Sequence, residues 1–162
     1  MRTVAARGSD AQRALVFLNF GRRLADTAEK LRSRGMPVGA LHGGLNKTER
    51  AATLTAFRAG KLRALLVTDL AARGLDVPEC DAVFNLELPS DGVHYAHRAG
   101  RTARAGRAGR MVTLAEPRQV FVLRKFERFL SIAIAEAKVY AGEMTDAAEA
   151  AAAAASAAEQ SR

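Results

Sequence analysis

Tryptophan is absent from this 162-residue chain, and cysteine occurs once, at Cys80. A single thiol cannot close an internal disulfide. Together with three histidines it is a poor ligand supply for a structural zinc site, which suits a reducing compartment. Long apolar runs are also missing. Hydrophobic residues make up 49% of the chain, but much of that is alanine, and bulky runs such as Leu65 to Val67 are only strand-sized. Nothing here spans a membrane as a helix. The amino terminus carries Arg2 and Arg7 without an apolar stretch of signal-peptide length, which argues against secretion. An intracellular location follows, in cytoplasm or nucleus, with an organelle such as a chloroplast or mitochondrion left open. Acidic residues are outnumbered, 17 Asp and Glu against 25 Lys and Arg, for a net charge of +8. That excess favours a polyanionic partner, because cations gain free energy by displacing counterions condensed on phosphates, although a basic surface also serves solubility.

The length suits one compact domain with its own core and is too short for two of ordinary size. Ala14 to Phe20 (ALVFLNF) is an apolar run that predicts a buried strand. Leu24, Ala28 and Leu31 then recur at helical spacing up to a stop at Gly35. Val38 to His42 reads as a second strand. Asn46 and Glu49 have the spacing of a capping box, opening a helix with Ala51, Leu54 and Phe57 on one side and an end near Gly60. Further strands are predicted at Arg63 to Thr68, Ala82 to Leu86 and Met111 to Leu114. Ser90 or Asp91 is placed to cap a helix through Tyr95 and His97. Pro117 suits the first turn of a last helix carrying Val120, Leu123, Phe126 and Leu130. Strand and helix alternate, and the strands are apolar without alternation, so the class is α/β with a parallel sheet flanked by helices. From Ala147 onward alanine dominates without a bulky stripe, which predicts a flexible tail. The expected organisation is a short segment over 1–13, a domain over 14–140 and a tail over 141–162.

Three segments carry chemistry. In Tyr95 to Arg110 (YAHRAGRTARAGRAGR), Arg98, Arg101, Arg104, Arg107 and Arg110 recur at every third position among small residues. Five such arginines repel one another unless anions approach, and a solvated basic face would normally mix in lysine and glutamate. In Leu66 to Val77 (LVTDLAARGLDV), a strand ends in Thr68 and Asp69, and ligands of open parallel sheets gather at the carboxyl ends of strands. Thr68 can hydrogen-bond a phosphate, and Asp76 can accept from a sugar hydroxyl or hold an arginine. Leu41 to Arg50 (LHGGLNKTER) sets His42 and two glycines at another strand end, ahead of a helix whose first amides can meet an anion. Taken singly, Thr68, Asp69 and Asp76 are more often turn residues, and a HGG tripeptide on its own is most often a tight turn.

Taken in order, VFLNF at Val16 to Phe20, HG with an arginine at His42 to Arg50, TDLAARGLD at Thr68 to Asp76 and HRAGRTARAGR at His97 to Arg107 resemble the C-terminal RecA-like domain of DEAD-box ATP-dependent RNA helicases. The likeness covers Ala14 to Ile134. It implies a RecA-like fold and several roles. Arg101 and Arg104 match arginine fingers that reach the γ-phosphate of ATP, Asp76 and Gly74 match nucleotide contacts, and His97 matches a residue linking two domains across a cleft. Thr68, Gly43, Arg50 and Asn19 match positions along the RNA sugar-phosphate backbone. The implied cofactor is ATP with Mg2+, held mainly by an N-terminal RecA-like domain. The chain itself has no GxxxxGK motif followed by Ser or Thr and no DEAD-like acidic pair, so it is expected to lack ATPase activity alone. The implied partners are RNA, held without base readout, and that N-terminal domain. Lys47, Glu87, Ala99 and Ala103 depart from the residues usual in the family. A catalytically inactive RNA-binding module and half of a DNA helicase are the competing readings. The family's domain opens with a strand and helix ahead of VFLNF, for which only 1–13 are available, so a bare, association-prone face is expected beside the Ala14 to Phe20 strand.

Overall fold

The computed structural model describes residues 13–73, 80–102, 109–140 and 143–146. They fall into two compact units, one running Ala11–Leu130 and the other, in its described part, beginning at Ser131.

The first unit is built on five parallel strands: β1 (Ala14–Phe17), β2 (Val38–Leu41), β3 (Ala64–Val67), β4 (Ala82–Asn85) and β5 (Arg110–Thr113). Their order across the sheet is β2-β3-β1-β4-β5. The helices are α1 (Arg22–Arg32), α2 (Lys47–Arg58), the single turn α3 (Asp69–Ala72), α4 (Gly92–Ala99) and α5 (Val120–Leu130), the last preceded by a 3₁₀ turn at Pro117–Gln119. Local signals set these boundaries. The Asn46 side chain accepts from the Glu49 amide at 2.9 Å while the Glu49 carboxylate accepts from the Asn46 amide at 2.9 Å, so the predicted capping box is complete. Asp91, rather than Ser90, caps α4 by accepting from the His94 amide at 2.8 Å. Both α1 and α2 stop shortly before glycines at positive φ, Gly35 at 78° and Gly60 at 71°.

The sheet is covered on both faces. Leu15 and Phe17 of β1 join Leu65 and Val67 of β3 and Leu54 and Phe57 of α2 in one cluster. Val16 and Leu18 join Leu24, Ala28 and Leu31 of α1 in the other. The expected bare face beside β1 is therefore not found: Leu15 is 0% exposed, Val16 6% and Phe17 1%. The reason is topological. β1 lies in the middle of the sheet, between β3 and β4, where neighbouring strands and the helices on both faces shield it.

Close approach of α2 to β2 depends on Gly39. A Cβ there would stand 2.8 Å from Leu62 Cδ1 and 2.8 Å from Thr53 Cγ2, and the Thr53 hydroxyl is already held by the Glu49 carbonyl at 2.9 Å. Gly39→Ala is expected to destabilise the domain by about 1–3 kcal/mol through overpacking. A lowered urea midpoint at unchanged slope is the signature.

The second unit, taken by itself, contains an antiparallel pair, β6 (Ala137–Tyr140) and β7 (Glu143–Asp146), with Tyr140 opposite Glu143. This pair has no counterpart in the elements expected from sequence, and it straddles the expected boundary between 140 and 141. The tail from Ala147 onward and residues 1–12 lie outside the described residues.

Candidate functional site

The chain leaving β1 crosses to one side of the sheet and the chain leaving β4 to the other, which opens a crevice between their carboxyl ends. Arg98 of α4 fills it. Its side chain is 1% exposed and all five of its N–H donors are engaged. Nε and Nη2 bind the Asp69 carboxylate at 2.9 and 2.6 Å. Nη1 donates to Asn85 Oδ1 at 3.1 Å and to the Glu87 carbonyl at 3.0 Å, and Nη2 donates to Asn19 Oδ1 at 2.8 Å. The guanidinium also lies 4.9 Å from the centre of the Phe17 ring. Asn85 passes the network to β5 by donating to Thr113 Oγ1 at 2.9 Å. This corrects the reading of the arginine run as uniformly anion-facing. Its first member, Arg98, ties the ends of β1, β3 and β4 to α4.

Two cavities open around this knot. One, of about 420 Å³, is lined by Asn19, Gly21, His42, Gly43, Thr68, Asp69 and neighbours. It brings together three of the residues matched to RNA contacts, Asn19, Gly43 and Thr68. Arg50 lies on α2 and is not in its lining. Thr68 accepts from the Ala71 amide at 3.2 Å as the cap of α3, and a Cβ added at Gly43 would meet nothing within 4 Å. The Asn19 side chain is anchored at both ends, accepting from Arg98 and donating to the Leu88 carbonyl at 2.8 Å. Glu87, one of the departures from the family pattern, supports it by accepting from the Asn19 amide at 2.7 Å and pairing with Arg23.

The other cavity, of about 470 Å³, is lined by Phe17, Asp69, Arg73, His94, His97 and Arg101 among others. Two of the predicted catalytic residues, His97 and Arg101, meet here. The backbone of Arg101 is pinned. Its carbonyl accepts from the Cys80 amide at 3.2 Å, while the Thr102 hydroxyl donates to the Cys80 carbonyl at 2.6 Å. Its guanidinium has no hydrogen-bond or ion-pair partner among the described residues. Burial pushes the Cys80 thiol up to about 12, so this cysteine is no nucleophile. Gly74, Asp76 and Arg104 lie outside the described residues. A third cavity, about 690 Å³ beside α1, holds side chains of both signs and includes only Asn19 of the predicted residues. Among the described residues no group of three or more His, Cys, Asp or Glu side chains is placed to hold a metal ion.

A family model described as the helicase conserved C-terminal domain matches residues 2–106. The chain belongs to the DEAD-box RNA helicase family, as its C-terminal domain. DEAD-box ATP-dependent RNA helicase 47, mitochondrial, from Arabidopsis thaliana is 47% identical over 83% of this chain and 24% of the relative. The DEAD-box protein SrmB of E. coli, solved with the regulator of ribonuclease activity A, aligns with a TM-score of 0.73 at 35% identity, covering 79% of this chain and 75% of that one. A Dbp5 variant from S. cerevisiae bound to RNA and ADP BeF3 aligns with a TM-score of 0.67 at 29% identity, over 75% of this chain and 33% of that one. The chain spans about a quarter to a third of the curated relatives it matches. In this DEAD-box domain, reasoning from sequence missed Asp69, Arg73, Asn85 and His94. Asp69 and Arg73 stood inside a quoted motif, so the signal was present without their partners. Asn85 and His94 read as an ordinary strand residue and an ordinary helix residue.

Proposed function

We propose that this domain works as the C-terminal half of an ATP-dependent RNA helicase, closing on an N-terminal RecA-like domain to unwind or remodel RNA. The observation that carries the reading is the placement of two cavities on the carboxyl edge of one sheet, sharing Asp69, Arg73 and His94. One presents Gly43 and Thr68, groups suited to a sugar-phosphate backbone, since a hydroxyl and open backbone grip phosphates without reading bases. The other presents His97 and Arg101, whose guanidinium has no partner among the described residues. A guanidinium that enters on domain closure stabilises charge developing on a transferred phosphoryl group. Arg101 and Arg104 are assigned this role, Asp76 and Gly74 the nucleotide contacts, and His97 the link across the cleft. Asn19 and Arg50 complete the RNA-facing set, Asn19 by holding its strand end in place. ATP and Mg2+ are assigned mainly to the other domain, because the phosphate loop and acidic pair that would hold them are not in this sequence. The work is placed inside the cell; the Arabidopsis relative is named mitochondrial, which keeps an organelle among the compartments.

Two measurements test this. The chain alone is expected to hydrolyse no ATP above background, with or without RNA; RNA-stimulated turnover would overturn the division of labour. Its binding of single-stranded RNA is expected to be weak, indifferent to base sequence and steeply salt-dependent. A strong preference between two strands of equal length and different sequence counts against it.

A further inference from the structure

Phe20 lies between the end of β1 and the start of α1, and it is 55% exposed. Its two chain neighbours, Asn19 and Gly21, both line the cavity that holds Gly43 and Thr68, and each has its Cα within about 3.8 Å of that of Phe20. Phe20 therefore stands at the rim of that cavity. Its backbone is fixed from both sides. The Asn19 amide donates to Glu87 and the Asn19 side chain bridges Arg98 and the Leu88 carbonyl, while the Phe20 carbonyl accepts from the Arg23 amide at 3.1 Å as α1 begins. Gly21 adds no side chain, and a Cβ placed on it would meet nothing within 4 Å, so the space beside this backbone is open.

The charge nearby is basic. α1 opens with Arg22 and Arg23 and has no acid in its first turn, although the amide end of a helix favours anions over cations. Arg23 is paired with Glu87. Arg22 instead brings its Cζ to 5.6 Å from the centre of the Phe20 ring, within range of a cation–π contact. A single exposed phenylalanine is ordinary surface. Set on a fixed backbone at the rim of a cavity suited to phosphates, with arginines beside it, the ring completes a different arrangement: a basic track for a sugar-phosphate backbone and an aromatic face for a base. We propose that Phe20 is a stacking platform for one unpaired base of the RNA strand whose backbone passes Gly43 and Thr68. This rests on the RNA reading of that cavity and adds to it a contact with a base. Binding stays indifferent to sequence, because every base presents a π face.

The test compares the affinity of the full chain for a fluorescein-labelled oligoadenylate with that for a strand of equal length and charge built from abasic spacers. Wild type is expected to bind the abasic strand at least about fivefold more weakly, and Phe20→Leu to lose a similar factor on oligoadenylate and nothing on the abasic strand. Stacking displaces no phosphate counterions, so the log–log salt slope of Phe20→Leu should match that of wild type, and its Tm should match because the side chain is exposed. The chain has no tryptophan, so Phe20→Trp supplies a single reporter. Its emission should be quenched on saturation with oligoadenylate and unmoved by the abasic strand. Equal wild-type affinity for the two strands, a Phe20→Leu variant that binds oligoadenylate as wild type does or loses equally on both strands, or a tryptophan emission indifferent to oligoadenylate would each overturn the platform and leave the backbone reading in place. A wild-type chain that binds neither strand overturns the RNA reading and the platform with it.

Discussion

Arg98→Ala is expected to cost the domain about 3–5 kcal/mol, the range for breaking a buried ion pair from one side. The substitution strands several groups at once. The Asp69 carboxylate loses two charge-assisted bonds, and Asn19 Oδ1, Asn85 Oδ1 and the Glu87 carbonyl each lose a donor. Asp69 is 25% exposed, so water relieves part of its loss, whereas Asn85 is fully buried and has no such relief. Arg98→Lys should recover little, because one ammonium with three donors cannot match a planar fork that serves five bonds. Arg98→Met restores volume against Phe17 but leaves the same acceptors stranded, so it should fall with alanine rather than with wild type. Urea unfolding at constant slope measures all three. A loss below about 1 kcal/mol for Arg98→Ala, the scale of an ordinary surface pair, would mean that the network does not hold the strand ends together.

Three residues further along, the expectation reverses. In a protein that pairs this domain with a phosphate-loop domain, Arg101→Ala is expected to lower ATP turnover by about 10³-fold or more, the range for removing an arginine finger. The melting temperature should hardly move. The physical ground is the contrast between the two side chains: Arg101 has no partner among the described residues, so its removal strands none of them, and its backbone position rests on Cys80 and Thr102. Arg104→Ala is expected to behave in the same way. Matched losses of stability and turnover would return Arg101 to a structural role. Lost turnover with intact stability would divide one arginine run into a structural residue and catalytic ones.

Much of the fold was legible without coordinates. Five apolar runs became five strands, the Asn46 box and the Asp91 cap formed where their spacing put them, and α1 and α2 stopped ahead of Gly35 and Gly60. These features depend on residues a few positions apart, whose relative geometry is set as soon as the backbone is helical or extended. The placement of the site at the strand ends was legible for a related reason. A parallel sheet with crossovers puts its binding loops on one edge whatever order the strands take.

The order itself was decided only in three dimensions, and several particular assignments turned on it. Because β1 pairs with β3 and β4 at once, the strand expected to have a bare face has Leu15, Val16 and Phe17 all buried. For the same reason Arg98 finds Asn19 and Asp69, 79 and 29 residues away, and becomes buried although its neighbours in sequence are those of a solvated basic run. Arg73, inside a quoted motif, and His94, 21 residues further on, meet because α3 and α4 follow strands on opposite sides of β1. The sequence by itself determined which residues are helical, extended, capped or basic. Which of the arginines holds the fold together, and which is left with its charge facing a cavity, depends on partners brought close only when the sheet assembles, and no periodicity along the chain encodes those distances.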